Sequence, residues 1–311
     1  MFSVQADPAR IGSWTDFALS CERLGFTGLL VADHLGTGSS PFVALAAAAS
    51  ITGRLRLGSY VVNAGSWTPL QLAAEVATLD LVSEGRALLG IGAGHTPAEW
   101  TMTGRPYPSA SDRVARMIEV VSVTRRLLAG ETVTFDGEHV RLDEASLETP
   151  RSVQEPVPVL VGGNGTRLLE FGAREADIVG FSGLGRTLPD GHSHDVRWQR
   201  SAIDERVDLV RRAAETAGRT PTLEALVQVV EITDDAEAAA SRLAERVPSA
   251  SAEDILGAPY VLLGTVEEIV AEVRRHRQRW GFTRFVVRPP HHRPAARVLQ
   301  VSNDTDAGSA G

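Results

Sequence analysis

Short apolar runs alternate with amphipathic helical patterns from one end of the chain to the other. Phe2 to Gln5 opens the series as a first strand. Ser13 to Leu24 follows, with Trp14, Phe17, Ala18, Cys21 and Leu24 at helical spacing on one face and Gly25 closing it. Gly28 to Asp33 (GLLVAD) reads as a buried parallel strand. Pro41 to Ile51 predicts a helix with Pro at its first position and Ser40 as N-cap. Leu55 to Val62 is a third strand. Thr68 to Gln71 opens a helix with capping-box spacing, and Leu72, Val76 and Leu79 mark its inner face. Ala87 to Ala93 is a fourth strand, and Asp112 to Leu128 a long helix. Thr132 to Leu142 alternates around Asp136-Gly137 and predicts a hairpin that interrupts the rhythm. Pro156 to Val161 is a fifth strand, leading through Gly162-Gly163-Asn164-Gly165 into a helix. Ala176 to Phe181 is a sixth. A helix from about Ile203 to Ala217 precedes a seventh strand, Leu223 to Ile232. Thr265 to Trp280, with a capping box from Thr265 to Glu268, leads into the eighth, Arg284 to Val287.

Eight strands separated by helices predict an α/β fold of the (β/α)8 TIM-barrel type, with a doubly wound sheet as the competing topology. No composition break marks a boundary, so residues 1–301 are expected to form one barrel domain with the hairpin near 132–142 as an extra segment. The stretch from Gly183 to Val196, rich in Gly, Ser, His and Asp, is expected to be a mobile loop. Residues 302–311 are polar and Gly/Ser-rich and are expected to be a disordered tail.

Composition narrows the function. The chain has 311 residues and a formal net charge of −8, from 31 basic and 39 acidic side chains. That balance argues against nucleic acid as a partner. Cys21 is the single cysteine, so neither an internal disulfide nor a cysteine zinc site is available. Every basic residue is Arg. The absence of Lys excludes a lysine Schiff base and a P-loop lysine. The start of the chain shows no secretory pattern, and the longest apolar stretch, Pro41 to Ile51, is too short to span a bilayer. The expectation is a soluble cytoplasmic protein acting on a small molecule, with no membrane partner.

In such a barrel the chemistry sits where strands end. Asp33-His34 follows the second strand. Imidazole can move a proton near neutral pH, and an adjacent carboxylate can orient it or bind ligand; alternatively Asp33 caps the loop and His34 packs. Val62-Asn63-Ala64-Gly65 follows the third strand. Gly92 and Gly94 end the fourth, before His95; small residues there leave room for a flat ring or simply allow tight packing. Gly162, Gly163, Asn164, Gly165 and Thr166 form a strand-to-helix turn. It could receive an anion on backbone N–H groups or be an ordinary tight turn. His291 and His292 point apart on an extended chain, so one metal would not take both. His192 and His194, with Asp195, read as a solvated surface rather than a metal site.

The run Leu79-Asp80-Leu81-Val82-Ser83-Glu84-Gly85-Arg86-Ala87-Leu88-Leu89-Gly90-Ile91-Gly92-Ala93-Gly94 resembles the LD-x-LS-x-GR-x-x-LG-x-G-x-G stretch of the luciferase-like monooxygenase superfamily. Val31-Ala32-Asp33-His34 resembles the strand-two Asp-His of its deazaflavin-dependent branch. Val159 to Gly165 resembles its glycine turn, and Leu262 to Glu268 its late helix start. The resemblance covers roughly residues 2 to 290 and implies a TIM barrel with extra segments, usually a homodimer. It implies FMN or coenzyme F420 bound at the barrel mouth, against Asp33, His34, Val61, Asn63, Gly92, Gly94 and the turn Gly162, Gly163, Asn164, Gly165 and Thr166. It also implies a non-proline cis peptide near Tyr60-Val61.

By the same resemblance His34 matches the active-site His of the deazaflavin enzymes. Two positions depart. Some sugar or alcohol dehydrogenases of the branch carry Trp four residues after that His, where this chain has Gly38. They carry Glu directly after the strand-four Gly-x-Gly, where this chain has His95. The expectation is an F420-dependent oxidoreductase that transfers a hydride to or from a small organic substrate, with His34 and His95 as catalytic candidates and no metal. The alternatives are an FMN-dependent monooxygenase and a non-catalytic flavin-binding protein of the same fold.

Overall fold

The computed structural model describes residues 1–187, 194–247 and 249–308. Eight parallel strands carry the fold: Phe2–Gln5, Gly28–Val31, Arg56–Ser59, Ala87–Gly92, Val159–Gly162, Ile178–Phe181, Thr222–Leu226 and Phe282–Val287. They pair in chain order, and the eighth returns to the first, closing a TIM barrel. All eight predicted strands are present: the first keeps its expected bounds, the eighth starts two residues earlier, at Phe282, the fifth shifts to end at Gly162, and the others are shorter. The cause is their composition: Leu29, Leu30, Leu57, Leu89, Val159, Val179, Ala225 and Val286 are fully buried, as strands covered on both faces require.

By contact density the chain divides into two compact units. One holds Ala6–Ser20 and Gly28–Gly162; the other holds Met1–Gln5, Cys21–Thr27 and the chain from Gly163 onward. In the first, the hairpin forms as expected, Val133–Asp136 against Arg141–Ala145. Helix Pro69–Val82 starts at Thr68, whose hydroxyl accepts from Gln71 N–H. Ser40 sits at the N-cap of helix Pro41–Ala49 but makes no side-chain cap there.

The most family-specific stretch of the sequence turns out to build this unit rather than its chemistry. Asp80 is wholly buried at the end of helix Pro69–Val82. Its Oδ2 accepts from Val153 N–H at 2.7 Å and Gln154 N–H at 2.8 Å; its Oδ1 accepts from Gln154 Nε2 at 2.6 Å and Ala87 N–H at 3.3 Å. Arg86 donates to the carbonyls of Ser83, Leu55 and Ala49. Both residues lie before the fourth strand, at the end of the barrel that governs stability.

The other unit departs from expectation in three places. Leu223 to Ile232 is not one strand. Thr222–Leu226 belongs to the barrel, while Val229–Ile232 pairs in parallel with Val261–Gly264 in a separate small sheet. A run of alternating apolar residues does not reveal where a strand leaves one sheet for another. The expected loop from Gly183 to Val196 contains an antiparallel pair, Leu184–Thr187 with His194–Val196; residues 188–193, His192 among them, lie outside the described residues. The expected disordered tail is corrected for residues 302–308, which continue helix His292–Gly308; residues 309–311 lie outside the described residues. Cys21 is buried and its thiol is pushed up to about 12 by that burial, which suits a packing residue. Among the described residues no helix is long and apolar enough to cross a membrane.

Candidate active site

The second and third strands deliver the site's first members. Asp33 and His34 follow Gly28–Val31, and Asn63 ends the short strand Val62–Asn63. Between the third strand and that short strand lies the non-proline cis peptide Tyr60-Val61. The Val61 side chain lies against the glycines of neighbouring strands. A Cβ on Gly92 would sit 2.8 Å from Val61 Cγ2, and one on Gly162 would sit 3.2 Å from Cγ1. These two glycines therefore make room for Val61 rather than leaving an open shelf.

Asp33 is buried, and its Oδ2 accepts from Trp67 Nε1 at 2.8 Å and from Asn63 N–H at 3.3 Å. Burial pushes its carboxyl above the usual range, outweighing the two hydrogen bonds, and the Glu99 charge pushes the same way.

His34 is half-exposed, and its Nδ1 lies 2.8 Å from Oε1 of Glu99. Glu99 stands on the six-residue helix Pro97–Met102 and is only 3% exposed. Its Oε2 accepts from Asn63 Nδ2 at 2.7 Å, and Asn63 Oδ1 accepts from Gly65 N–H at 2.8 Å. Burial would raise the Glu99 carboxyl. The hydrogen bonds from His34 and Asn63 and the imidazoles of His34 and His95 outweigh it and hold the carboxyl below the usual range. The exposed His95 meets His34 edge to face, with ring centroids 5.9 Å apart.

Three arginines pin the surrounding loops through backbone carbonyls. Arg105 donates to Gly65 at 2.6 Å, Arg113 to Gly94 at 2.7 Å, and Arg116 to Ala64 at 3.1 Å. Arg105 also lies over the Trp100 ring and Arg113 over the Tyr107 ring.

Thus Asp33, His34, Asn63 and His95 come together as a cluster, with Gly94 beside it. Sequence reasoning missed Glu99, Trp67 and the three arginines. Thr96-Pro97-Ala98-Glu99 carries capping-box spacing, which could have flagged a helix start. Thr96 makes no side-chain cap, however, and Glu99 reaches His34 instead.

The glycine turn belongs to the other unit from Gly163 on. Gly163 has φ +154°, a conformation that favours glycine, and its N–H donates to Gly180 O at 3.2 Å. Asn164 Nδ2 donates to Ser182 Oγ at 2.9 Å and to the Leu184 carbonyl. Helix Thr166–Glu175 begins at Gly165 with no side chain capping it. Arg206 Nη1 donates to Thr166 Oγ1 at 2.9 Å, and its buried Nε has no partner among the described residues. An uncapped helix start beside a guanidinium with a spare donor fits an anionic group. With Gly163 N–H already engaged, the donors left to an anion belong to the first turn of that helix and to Arg206.

His291 and His292 are engaged structurally. Val230 N–H donates to His291 Nδ1 at 3.2 Å, and His292 opens the last helix. Among the described residues no group of three His, Cys, Asp or Glu could hold a metal.

Comparison with known proteins agrees with this architecture. The chain is 34% identical over 184 residues to an F420-dependent glucose-6-phosphate dehydrogenase of Intrasporangium calvum, covering 56% of this chain and 54% of that one. It spans little more than half the length of the curated relatives it matches. Among solved structures, a monooxygenase from Streptomyces bottropensis superposes with a TM-score of 0.73 at 24% identity, covering 96% of each chain. The F420-dependent tetrahydromethanopterin reductase of Methanopyrus kandleri superposes with 0.72 at 21% identity, covering 93% of each. The luciferase-like monooxygenase profile matches residues 3–255, and with the closed barrel in place this chain belongs to the luciferase-like monooxygenase family.

Proposed function

We propose that this protein is an F420-dependent oxidoreductase that transfers a hydride between the deazaflavin and a small organic substrate. The observation that carries the reading is the His34–Glu99 contact of 2.8 Å behind a half-exposed imidazole. It is a proton-transfer group with one nitrogen held and the other free to meet a substrate. A deazaflavin, when bound, supplies hydride transfer. His34 removes the substrate's proton in the oxidative direction and returns it in the reductive one. His95, edge-on to His34, is the second proton carrier. Asp33, Val61, Asn63 and Gly94 are the candidates to hold the cofactor's ring, and, taken separately in the other unit, the first turn of helix Thr166–Glu175 with Arg206 is the candidate to hold a phosphate.

The named function of the curated relatives supports this reading of the cofactor. Gly38 and His95 replace the Trp and Glu of the branch's sugar and alcohol dehydrogenases, so we assign a substrate other than the sugar phosphates and alcohols of those members. The FMN-dependent monooxygenase is the second reading, favoured by the Streptomyces bottropensis neighbour. We further propose that the protein is cytoplasmic and that its single barrel domain runs to the end of helix His292–Gly308. We also propose a homodimer, because Val43 of helix Pro41–Ala49 and Leu81 and Val82 of helix Pro69–Val82 are exposed.

Calorimetric titration of the purified protein with F420 and with FMN tests the cofactor, with tighter binding of F420 expected. Tighter FMN binding together with oxygen consumption transfers the assignment to the monooxygenase. Binding without turnover with any reductant makes it a non-catalytic binder.

A further inference from the structure

Glu99 stands four residues beyond the position at which the branch's sugar and alcohol enzymes carry their carboxylate, yet it is the carboxylate that reaches His34. We propose that Glu99, oriented by Asn63, is a positioning residue that fixes the tautomer of His34, with the proton on Nδ1 and the lone pair on Nε2.

Donors and acceptors fix one another around this chain of contacts. Gly65 N–H can only donate, so it fixes Asn63 Oδ1 as the acceptor at 2.8 Å and turns the amide NH2 the other way. That NH2 donates to Glu99 Oε2 at 2.7 Å. An ionised carboxylate only accepts, so Oε1, at 2.8 Å, requires a proton on His34 Nδ1. Nε2 is then left as the proton acceptor. Glu99 is 3% exposed, and its short helix starts with the rigid Pro97. The groups facing His34 and Glu99 are Asp33, His95 and, through its charge interaction with Glu99, Tyr107.

Glu99→Gln reverses the pattern. The amide it introduces must place its oxygen toward the Asn63 NH2, because the opposite orientation sets two NH2 groups face to face. Turning Asn63 instead would set its NH2 against Gly65 N–H. The NH2 of the introduced amide therefore points at His34, Nδ1 becomes an acceptor, and the proton moves to Nε2. The site keeps its shape and loses its base.

The role in turnover rests on the F420 reading; the tautomer does not. The test is long-range 1H–15N NMR of the imidazoles in the ligand-free protein, with His34 assigned by the signal lost in His34→Gln. The spectra are taken where the ring holds one proton. The expected result is Nδ1–H in the wild type and Nε2–H in Glu99→Gln. Nε2–H in the wild type overturns the proposal, and so does one unchanged tautomer in both; the wild-type spectrum decides even if the variant does not fold. In turnover with F420, Glu99→Gln is expected to lower kcat by about 100-fold or more with KM little changed. Glu99→Asp, which keeps the carboxylate, is expected to recover part of that loss. An unchanged kcat in Glu99→Gln overturns the positioning role. Failure of F420 to bind while the tautomers behave as expected removes the functional reading and leaves the relay standing.

Discussion

His34 and His95 meet edge to face at 5.9 Å, and both imidazoles draw the buried Glu99 carboxyl toward its charged form. His34 holds it with its Nδ1 at 2.8 Å from Oε1. The two rings are therefore unequal, although the sequence offers them as equivalent candidates. His34→Ala is expected to lower the turnover rate by about 10²- to 10⁴-fold, the usual worth of a positioned acid or base. His95→Ala should cost less, because His95 is exposed and His34 is the ring held 2.8 Å from the buried Glu99. Single-turnover rates per folded molecule, with melting temperature measured on the same preparation, separate this from loss of packing. Equal losses in the two variants would make His95 a full partner.

The uncapped start of helix Thr166–Glu175 gives a second prediction. Gly165 occupies the N-cap at φ −71°, and a Cβ added there meets nothing within 4 Å, so a side chain fits. Gly165→Asp supplies the missing cap and a negative charge at the helix N-terminus, which should stabilise the fold by up to about 1 kcal/mol. The same carboxylate occupies the donors proposed for the cofactor's phosphate. F420 affinity should fall by more than about tenfold, or ~1.4 kcal/mol. Stability and affinity thus move in opposite directions, which general damage to the fold cannot produce. Calorimetric titration alongside thermal melting reads both. An unchanged Kd in the stabilised variant would remove the phosphate from this turn.

The barrel was legible because each of its strands is a short apolar run between helical patterns, and burial on both faces enforces that composition. Asp33-His34 was legible from its place at a strand end. Glu99 was not, because helix Pro97–Met102 is too short to show periodicity and its acidic residue resembles a cap. Trp67 looked like part of an ordinary loop, and nothing local marks it as the donor to Asp33, which lies 34 residues away in the chain. The seventh apolar run hid a change of sheet at Val227-Gln228, because both halves are apolar in sequence although only the first is mostly buried. Helix His292–Gly308 was missed past residue 301 because its last residues are polar.

Asp80 gives a prediction about stability alone. It is fully buried and accepts four N–H donors from three residues. In Asp80→Asn one of the two acceptor oxygens becomes an NH2, which faces backbone N–H groups wherever it points. Each unsatisfied or opposed buried donor costs about 1–3 kcal/mol, so a total loss of about 3 kcal/mol is expected. The network lies before the fourth strand, remote in sequence from the His34 cluster. F420 affinity per folded molecule should not change. Urea unfolding followed by tryptophan fluorescence measures the first quantity and titration at low urea the second. A loss below the resolution of the unfolding curve would show that the family's most specific motif is not held for stability.

His276 links stability to pH. It lies on helix Val266–Trp280, is 1% exposed and stacks on Trp280 with centroids 5.4 Å apart. Glu272 Oε1 lies 3.4 Å from its Nε2 and favours the charged form. Burial and the guanidiniums of Arg275 and Arg200 outweigh it and hold the imidazole down to about 3. In the unfolded chain the same group takes its proton near the ordinary value of about 6.5. Between those values the unfolded state binds more protons than the folded state. Stability therefore rises with pH across that window and is lost as pH falls through it. The steepest contribution of one such group is about 1.4 kcal/mol per pH unit. Between about pH 6.5 and 5, above the range in which carboxylates titrate, the loss should reach about 2 kcal/mol. His276→Phe keeps a ring on Trp280 and removes the titration, so its stability should fall less over the same interval. The difference between the two slopes isolates His276 from the other histidines, which titrate in both proteins. Urea midpoints at the two pH values measure it, and parallel slopes would show that His276 takes up a proton in the folded protein as readily as in the unfolded one.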